Sequence, residues 1–347
     1  MLTKKQVSDV LDHLERAQNP VFFFDNDLDG LCSFLLLQRF IGRGRGIAIK
    51  SFPEMDVNYF RKVEELNADY IFILDKPLVS KDFFDKTREK NIPVVWIDHH
   101  KVDNFLPEFI NYYNPMFNSP KSDEPVTALC YQIVNNKRDM WIAVLGCIAD
   151  NFMPDFYSNF LEEYPELAKK TKDHFEVLYK FKFGEIARIV SSGLKDTTTN
   201  VVAMLKFLMK AKSPNEILEE STKTHLLHKR AEEIYTKYRK LFDRAEEVAK
   251  KSGKIVFFKY SGDLSISGEL SNELKFYFPK KIIVVARVNG IKINLSLRGK
   301  KIKDYFLKAI EGIESARGGG HEDAVGGQMN DNDFDKFKER LEKLVEG

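Results

Sequence analysis

Val21-Phe22-Phe23-Phe24-Asp25-Asn26-Asp27-Leu28-Asp29-Gly30 sets four apolar residues against a turn that carries three carboxylates. The arrangement recurs twice. Ile71-Phe72-Ile73-Leu74 closes at Asp75, and Val94-Val95-Trp96-Ile97 closes at Asp98, which is followed by His99 and His100. Short apolar runs rich in β-branched and aromatic residues read as strands buried on both faces of a parallel sheet. In an open α/β sheet, ligands bind beyond the carboxyl ends of the strands. Several Asp and a His pair brought to one such edge would repel one another unless a cation held them. The spacing therefore points to a metal centre with hydrolytic chemistry.

Between these runs lie LCSFLLLQRFI, YFRKVEELN and KDFFDKTREK, which read as helices, and IAIKSF, which reads as a further strand. That βαβ series predicts a doubly wound parallel sheet. TALCYQIVNNKRDMWIAVLGCIADN is apolar at helical spacing and carries Asp150 to its end, and residues 155–212 read as more helix. A charged stretch then runs from Ser213-Pro214 with no further Gly or Pro before Gly253, as expected of a helical connector. Beyond it, KIVFFKY, KIIVVARV and IKINLSLR are strands, with helices near ISGELSNELKFYF and IKDYFLKAIEGIESA. Next comes the loop Arg317-Gly318-Gly319-Gly320-His321 and a closing amphipathic helix. The expected fold is α/β in two domains, an N-terminal doubly wound parallel sheet and a smaller C-terminal mixed α/β domain. The expected boundaries are 1–212, a long helical connector over 213–252, and 253–347.

The 347 residues suffice for two cores, and 43% hydrophobic and 31% charged content are ordinary for a globular chain. Fifty-four basic residues against 52 acidic ones leave a net charge of +2, so nucleic acid would have to be bound by a local basic groove. Cys32, Cys130 and Cys147 form no CxxC pair and lie in apolar surroundings, as reduced core cysteines do. No stretch approaches the ~20 apolar residues of a membrane span, and the first helix lacks a signal-peptide core. A cytoplasmic protein without a membrane partner is expected.

Asp25 to Gly30 also matches the opening of a calcium-binding helix–loop–helix, but the twelfth position, which needs a bidentate Glu, is Leu36. The reading that remains is a strand-to-helix turn, with Gly30 relaxing the backbone and the Asp side chains fanning around a cation. Taken singly, Asp25–Asp29 suits a solvated turn and Asp75 a helix N-cap. Taken together, each carboxylate ends an apolar run at one sheet edge. Two cations roughly 3.5–4 Å apart are the usual device for hydrolysing phosphate esters. Carboxylates and imidazoles without thiolates suit Mn²⁺, with Mg²⁺ or Co²⁺ as alternatives.

In order, Asp25-x-Asp27-x-Asp29-Gly30, Asp75, Asp98-His99-His100 and Asp150 resemble the four motifs of the DHH phosphoesterases. Gly318-Gly319-Gly320-His321 resembles the signature of the DHH-associated domain. The resemblance implies that Asp27, Asp29, Asp75, His99 and Asp150 ligate two divalent metal ions. It further implies that Asp98 orients the histidines and that His100 contacts the scissile phosphate or assists the leaving group. Many members carry a His where this chain has Phe23, and Asp25 is the candidate to replace it as a ligand. Arg298, Arg317, Gly318, Gly319, Gly320 and His321 would bind the substrate backbone.

The DxDxDG form of the first motif favours a RecJ-like, manganese-dependent exonuclease on single-stranded DNA or RNA, of the archaeal type. DNA repair and a replication or repair helicase partner would follow from that type. The compact chain suits an oligoribonuclease (nanoRNase) with pAp phosphatase activity, or a cyclic-dinucleotide phosphodiesterase. A Cdc45-like replication scaffold is the non-enzymatic alternative. His225 and His228 read as a solvated helix face, and Gly42-Arg43-Gly44-Arg45-Gly46 as a basic turn that links helix to strand or touches a nucleic-acid backbone. Lys206, Lys210 and Lys212 with Phe207 read as the wet side of a core helix.

Overall fold

A computed structural model describes residues 1–51, 54–101 and 106–346. The chain forms two compact units, residues 1–231 and 232–347. The boundary falls within the 27-residue helix His225–Lys251. Among the described residues, no helix is long and apolar enough to cross a membrane.

The first unit is built on a five-stranded parallel sheet. Its strands lie in the order Arg45–Ile49, Pro20–Asp25, Tyr70–Leu74, Val94–Ile97 and Asn111–Tyr113. Alternate side chains of a strand face opposite ways. Phe22, Phe24, Phe72 and Leu74 therefore join one core with the helices Leu28–Ile41, Val126–Val134 and Met140–Ala149. Val21, Phe23, Ile71, Ile73 and Trp96 join a second core on the opposite face. Double-sided burial explains why these runs show no polar alternation. The strand ending at Asp25 pairs on one side with Arg45–Ile49 and on the other with Tyr70–Leu74. The chain thus reverses its winding between the strands that end at Asp25 and before Asp75, where such sheets open a crevice.

Two features of this unit depart from the sequence pattern. The fifth strand, Asn111–Tyr113, is too short and polar to stand out. The stretch from Thr127 to Asp150, apolar at helical spacing, is interrupted between two helices. Asn135 adopts φ 43°, ψ 42° and ends the first, and Asn136 accepts from Arg138 N to begin the turn into the second. Arg43 donates to the carbonyls of Leu14, Glu15 and Ala17, so the basic turn caps the helix Lys4–Arg16. All three cysteines are buried and free.

The segment after Ser213 is helical in two pieces, Asn215–Leu218 and His225–Lys251. They are parted where the Thr224 hydroxyl donates to the Glu219 carbonyl and accepts from Ser221 N. His225 pairs with Glu220, and His228 bonds the Ile217 carbonyl, so both secure this turn.

The second unit is a mixed sheet in the order Arg317–His321, Ala324–Asn330, Lys292–Arg298, Ile282–Asn289 and Ile255–Ser261, parallel only in its last pair. Helices Ile302–Ile310 and Phe334–Glu346 cover one face. Ser267–Tyr277 covers the other, with Tyr238, Phe242, Ala245 and Ala249 of the long helix.

The glycine run, expected as a loop, is an edge strand instead. A Cβ on Gly318 would lie 2.6 Å from Gly327 Cα and 2.9 Å from the Phe306 ring, and one on Gly327 would lie 2.6 Å from the same ring. The glycines let two strands and an aromatic ring close together, a packing demand that a phosphate-cradle reading overlooks.

Candidate metal centre

The turn after Asp25 places its carboxylates by backbone geometry. Asp27 is the N-cap of helix Leu28–Ile41 and accepts from Gly30 N at 3.0 Å. Gly30 lies inside that helix. A Cβ there would sit 2.5 Å from the Asp25 carbonyl oxygen, so glycine is needed for space rather than for backbone relaxation. Asp29, on the buried side, accepts from Val126 N at 2.9 Å and Thr127 N at 2.7 Å. The Thr127 hydroxyl donates to the Asp29 carbonyl. Helix Val126–Val134 begins at Pro125, which offers no side-chain cap, so Asp29 supplies the missing acceptors from far along the chain.

Asp75 follows its strand with a φ of 57°, a left-handed backbone that costs a non-glycine residue on the order of 1 kcal/mol. The side chain is 3% exposed, and its Oδ1 has no hydrogen-bond partner among the described residues. That oxygen lies 3.5 Å from His99 Nε2 and 3.8 Å from His100 Nδ1. Asp150 caps helix Met140–Ala149. Asn151, at φ 61°, turns the chain so that its N–H bonds Ile148 O while Phe152 N bonds Cys147 O. Asp150 Oδ2 is 3.8 Å from His99 Nε2.

The histidines are held from behind. His99 Nδ1 is 3.2 Å from the Asp123 carbonyl, which can only accept, so Nδ1 carries a proton and Nε2 faces Asp75 and Asp150. His100 Nδ1 is 2.8 Å from Oδ1 of the fully buried Asp98, whose Oδ2 accepts from the Tyr112 hydroxyl. Asn114 Nδ2 donates to both the His100 carbonyl and the Tyr112 oxygen.

Asp25 has a different environment. Its Oδ1 lies 3.1 Å from the ammonium of Lys76, a wholly buried lysine that also donates to the Ser51 carbonyl at 2.8 Å. Nothing in the sequence marked Lys76, which directly follows Asp75. Only the fold shows that it turns back beneath the sheet edge.

Ligand atoms of Asp29, His99 and Asp150 converge, as do those of Asp75, His99 and His100, each set within 4.8 Å. Desolvation, and then the charges of Asp29, Asp27, Asp150 and Asp25, raise the Asp75 carboxyl well above its usual range. Asp150 is pushed up to about 7 by burial and by Asp29, with His99 opposing. Desolvation within the cluster, then Asp25 and Asp29, push Asp27 up to about 7 even though its side chain meets solvent. Burial lowers the His99 imidazole, but Asp29, Asp150 and Asp98 outweigh it and leave a net rise. Buried like charges, an unpartnered inward carboxylate oxygen and an oxygen–imidazole donor set together fit a divalent metal.

In the second unit, register joins two of the expected substrate residues. Arg298 and His321 both pair with Ala324, from opposite sides. Arg298 Nη1 donates to Leu297 O and its Nε to Asn272. Arg317 stands at the other end of its strand, roughly 13 Å from His321 at the rise of an extended chain, and donates to Gln328.

Residues 21–149 match the N-terminal domain of the DHH family and residues 251–347 match the DHHA1 domain. The chain belongs to the DHH family and has the fold of its phosphoesterases. Three solved structures align over almost all of it. RecJ of Thermus thermophilus in complex with Mn²⁺ is 15% identical with a TM-score of 0.68, covering 98% of this chain and 54% of that one. An exonuclease RecJ bound to manganese is 14% identical with a TM-score of 0.64, covering 99% and 94%. The DHH domain of a protein assigned to a family of ribosomal proteins is 13% identical with a TM-score of 0.71, covering 99% and 90%. This chain therefore spans about half the length of the Thermus RecJ. At these identities the likeness is one of fold. A comparison with curated proteins gave no match.

Proposed function

We propose that this protein is a metal-dependent phosphodiesterase, a RecJ-like exonuclease that hydrolyses single-stranded nucleic acid. The observation that carries this reading is the convergence of Asp29, His99 and Asp150 and of Asp75, His99 and His100, with a buried Asp75 oxygen that has no hydrogen-bond partner among the described residues. Asp27, Asp29, Asp75, His99 and Asp150 would hold two divalent ions, Mn²⁺ foremost. Bound there, such ions supply a hydroxide nucleophile at neutral pH and offset charge building on the phosphoryl oxygens.

The chain's own groups do the rest. The Asp123 carbonyl fixes the His99 ring so that Nε2 is presented, as carbonyls do for metal-bound imidazoles. Asp98 holds His100 by Nδ1 and leaves its Nε2 for the phosphate or for the proton of the leaving oxygen. Asp25 balances Lys76 and is a positioning residue rather than a ligand on this reading. Arg298 and His321 would grip the strand's phosphates. Retained catalytic groups favour an enzyme over a Cdc45-like scaffold.

The test is product analysis on end-labelled DNA and RNA strands with Mn²⁺, alongside a dinucleotide. Stepwise release of mononucleotides from a long strand is expected. Cleavage confined to the dinucleotide would favour the nanoRNase-like alternative, and a metal-free protein that cuts nothing would favour the scaffold.

A further inference from the structure

The geometry points to a nucleobase-stacking site at Phe117, beside the His pair, an assignment that rests on the nucleic-acid reading above. Phe117 is 62% exposed and ends the short turn Pro115–Phe117. A single exposed apolar side chain is ordinary on a protein surface. What sets this one apart is how it is held.

Asn114, only 2% exposed, accepts from Met116 N at 2.9 Å and so fixes the turn. The same side chain donates to the His100 carbonyl at 2.9 Å and to the Tyr112 oxygen at 2.9 Å. Phe117 N bonds the Asn114 carbonyl at 3.1 Å, and Asn118 is tied to Gln6. The Phe117 ring lies 6.0 Å from the Tyr112 ring, whose hydroxyl donates to Asp98, the partner of His100. One buried amide thus couples an outward aromatic face to the backbone of His100.

An aromatic face on a turn hydrogen-bonded to the His100 carbonyl suits a base of the strand being cut, because every base has a π-face. The stacked base would place the phosphate without reading its sequence. Phe117 is therefore a binding residue for the nucleobase, and the ligand class is a base-bearing strand rather than a bare phosphate chain.

The test compares an oligothymidylate with a tetrahydrofuran abasic strand of equal length. Wild type should show a KM about tenfold higher for the abasic strand, from the loss of base–aromatic stacking. Phe117→Ala should bring the two KM values together. Phe117→Trp should restore the difference. Its emission should be quenched on rapid mixing with the oligothymidylate in Mn²⁺ but not with the abasic strand, while the native Trp96 and Trp141, both buried, supply a constant background that wild type measures. Equal KM values in wild type, or unresponsive Phe117→Trp emission while the strand is being cut, would overturn the stacking role and leave the hydrolase intact. If wild type cuts neither strand, the hydrolase reading fails. The Phe117→Trp emission then decides alone whether bases dock on this turn: quenching upholds the site and its absence removes it.

Discussion

Asp25 and Lys76 form a pair that can be taken apart from either side, and the two sides are not equivalent. Lys76 is fully buried, whereas the Asp25 side chain is 23% exposed. Asp25→Asn removes the carboxylate 3.1 Å from an ammonium that solvent does not reach, while its bond to the Ser51 carbonyl stays. Breaking a buried pair in this way costs about 3–5 kcal/mol, and the partial hydration of Asp25 places this case near the lower end. Lys76→Met removes the buried charge itself. What remains is a partly hydrated carboxylate and a Ser51 carbonyl short of a donor, a loss of about 1–3 kcal/mol. Asp25→Asn should therefore be the more damaging change, and the double variant should cost less than the sum. Urea unfolding followed by tryptophan emission measures this. Both tryptophans lie within residues 1–231, and Trp96 Nε1 donates to the Lys76 carbonyl. Asp25→Asn should also leave Mn²⁺ affinity close to that of wild type. A cost below about 1 kcal/mol for Asp25→Asn, or a loss of Mn²⁺ as severe as that of Asp150→Asn, would refute the assignment of Asp25 to Lys76.

Three further outcomes are expected. Asp27 and Asp150 are pushed up to about 7 and Asp75 is raised well above its usual range, so the metal-free fold binds more protons than the unfolded chain between about 4 and 7. A raised His99 acts in the same sense. Metal-free stability should therefore fall as pH rises through that window and Mn²⁺ should reverse the fall; urea midpoints that climb with pH without metal would contradict this. Asp29→Ala should abolish hydrolysis and also cost about 2–6 kcal/mol, since it strips two buried N–H groups of their acceptor. Asp29→Asn should lose activity with less unfolding, and equal stability of the two variants would count against the capping role. For Arg298→Ala and His321→Ala, KM for a long strand should rise with the bound metal unchanged by elemental analysis; unaltered KM in both would detach the second sheet from substrate.

The sequence carried the parallel sheet because its three central strands are buried on both faces and so appear as unbroken apolar runs. It carried the acidic edge because Asp25, Asp75 and Asp98 each stand where such a run stops. It did not carry the roles within that edge. Asp25, Asp27 and Asp29 look alike in the chain, yet one meets a lysine, one caps its own helix and one caps a helix about a hundred residues away. Lys76 was invisible because Asp25 and Ser51 reach it from elsewhere in the chain, and Asn114 because its bond to the His100 carbonyl spans 14 residues. The glycine run misled in another way: a tight aromatic contact and a phosphate cradle demand the same residue.

Asp29 shows why an acid kept in a motif is weak testimony about turnover. Its carboxylate closes the start of the Val126–Val134 helix whether or not anything is ever hydrolysed nearby. A descendant that had abandoned catalysis would still be selected to retain that residue for folding. Surveys that sort living enzymes from retired ones should weigh Asp150, whose carboxylate caps no helix N-terminus among the described residues, more heavily than Asp29.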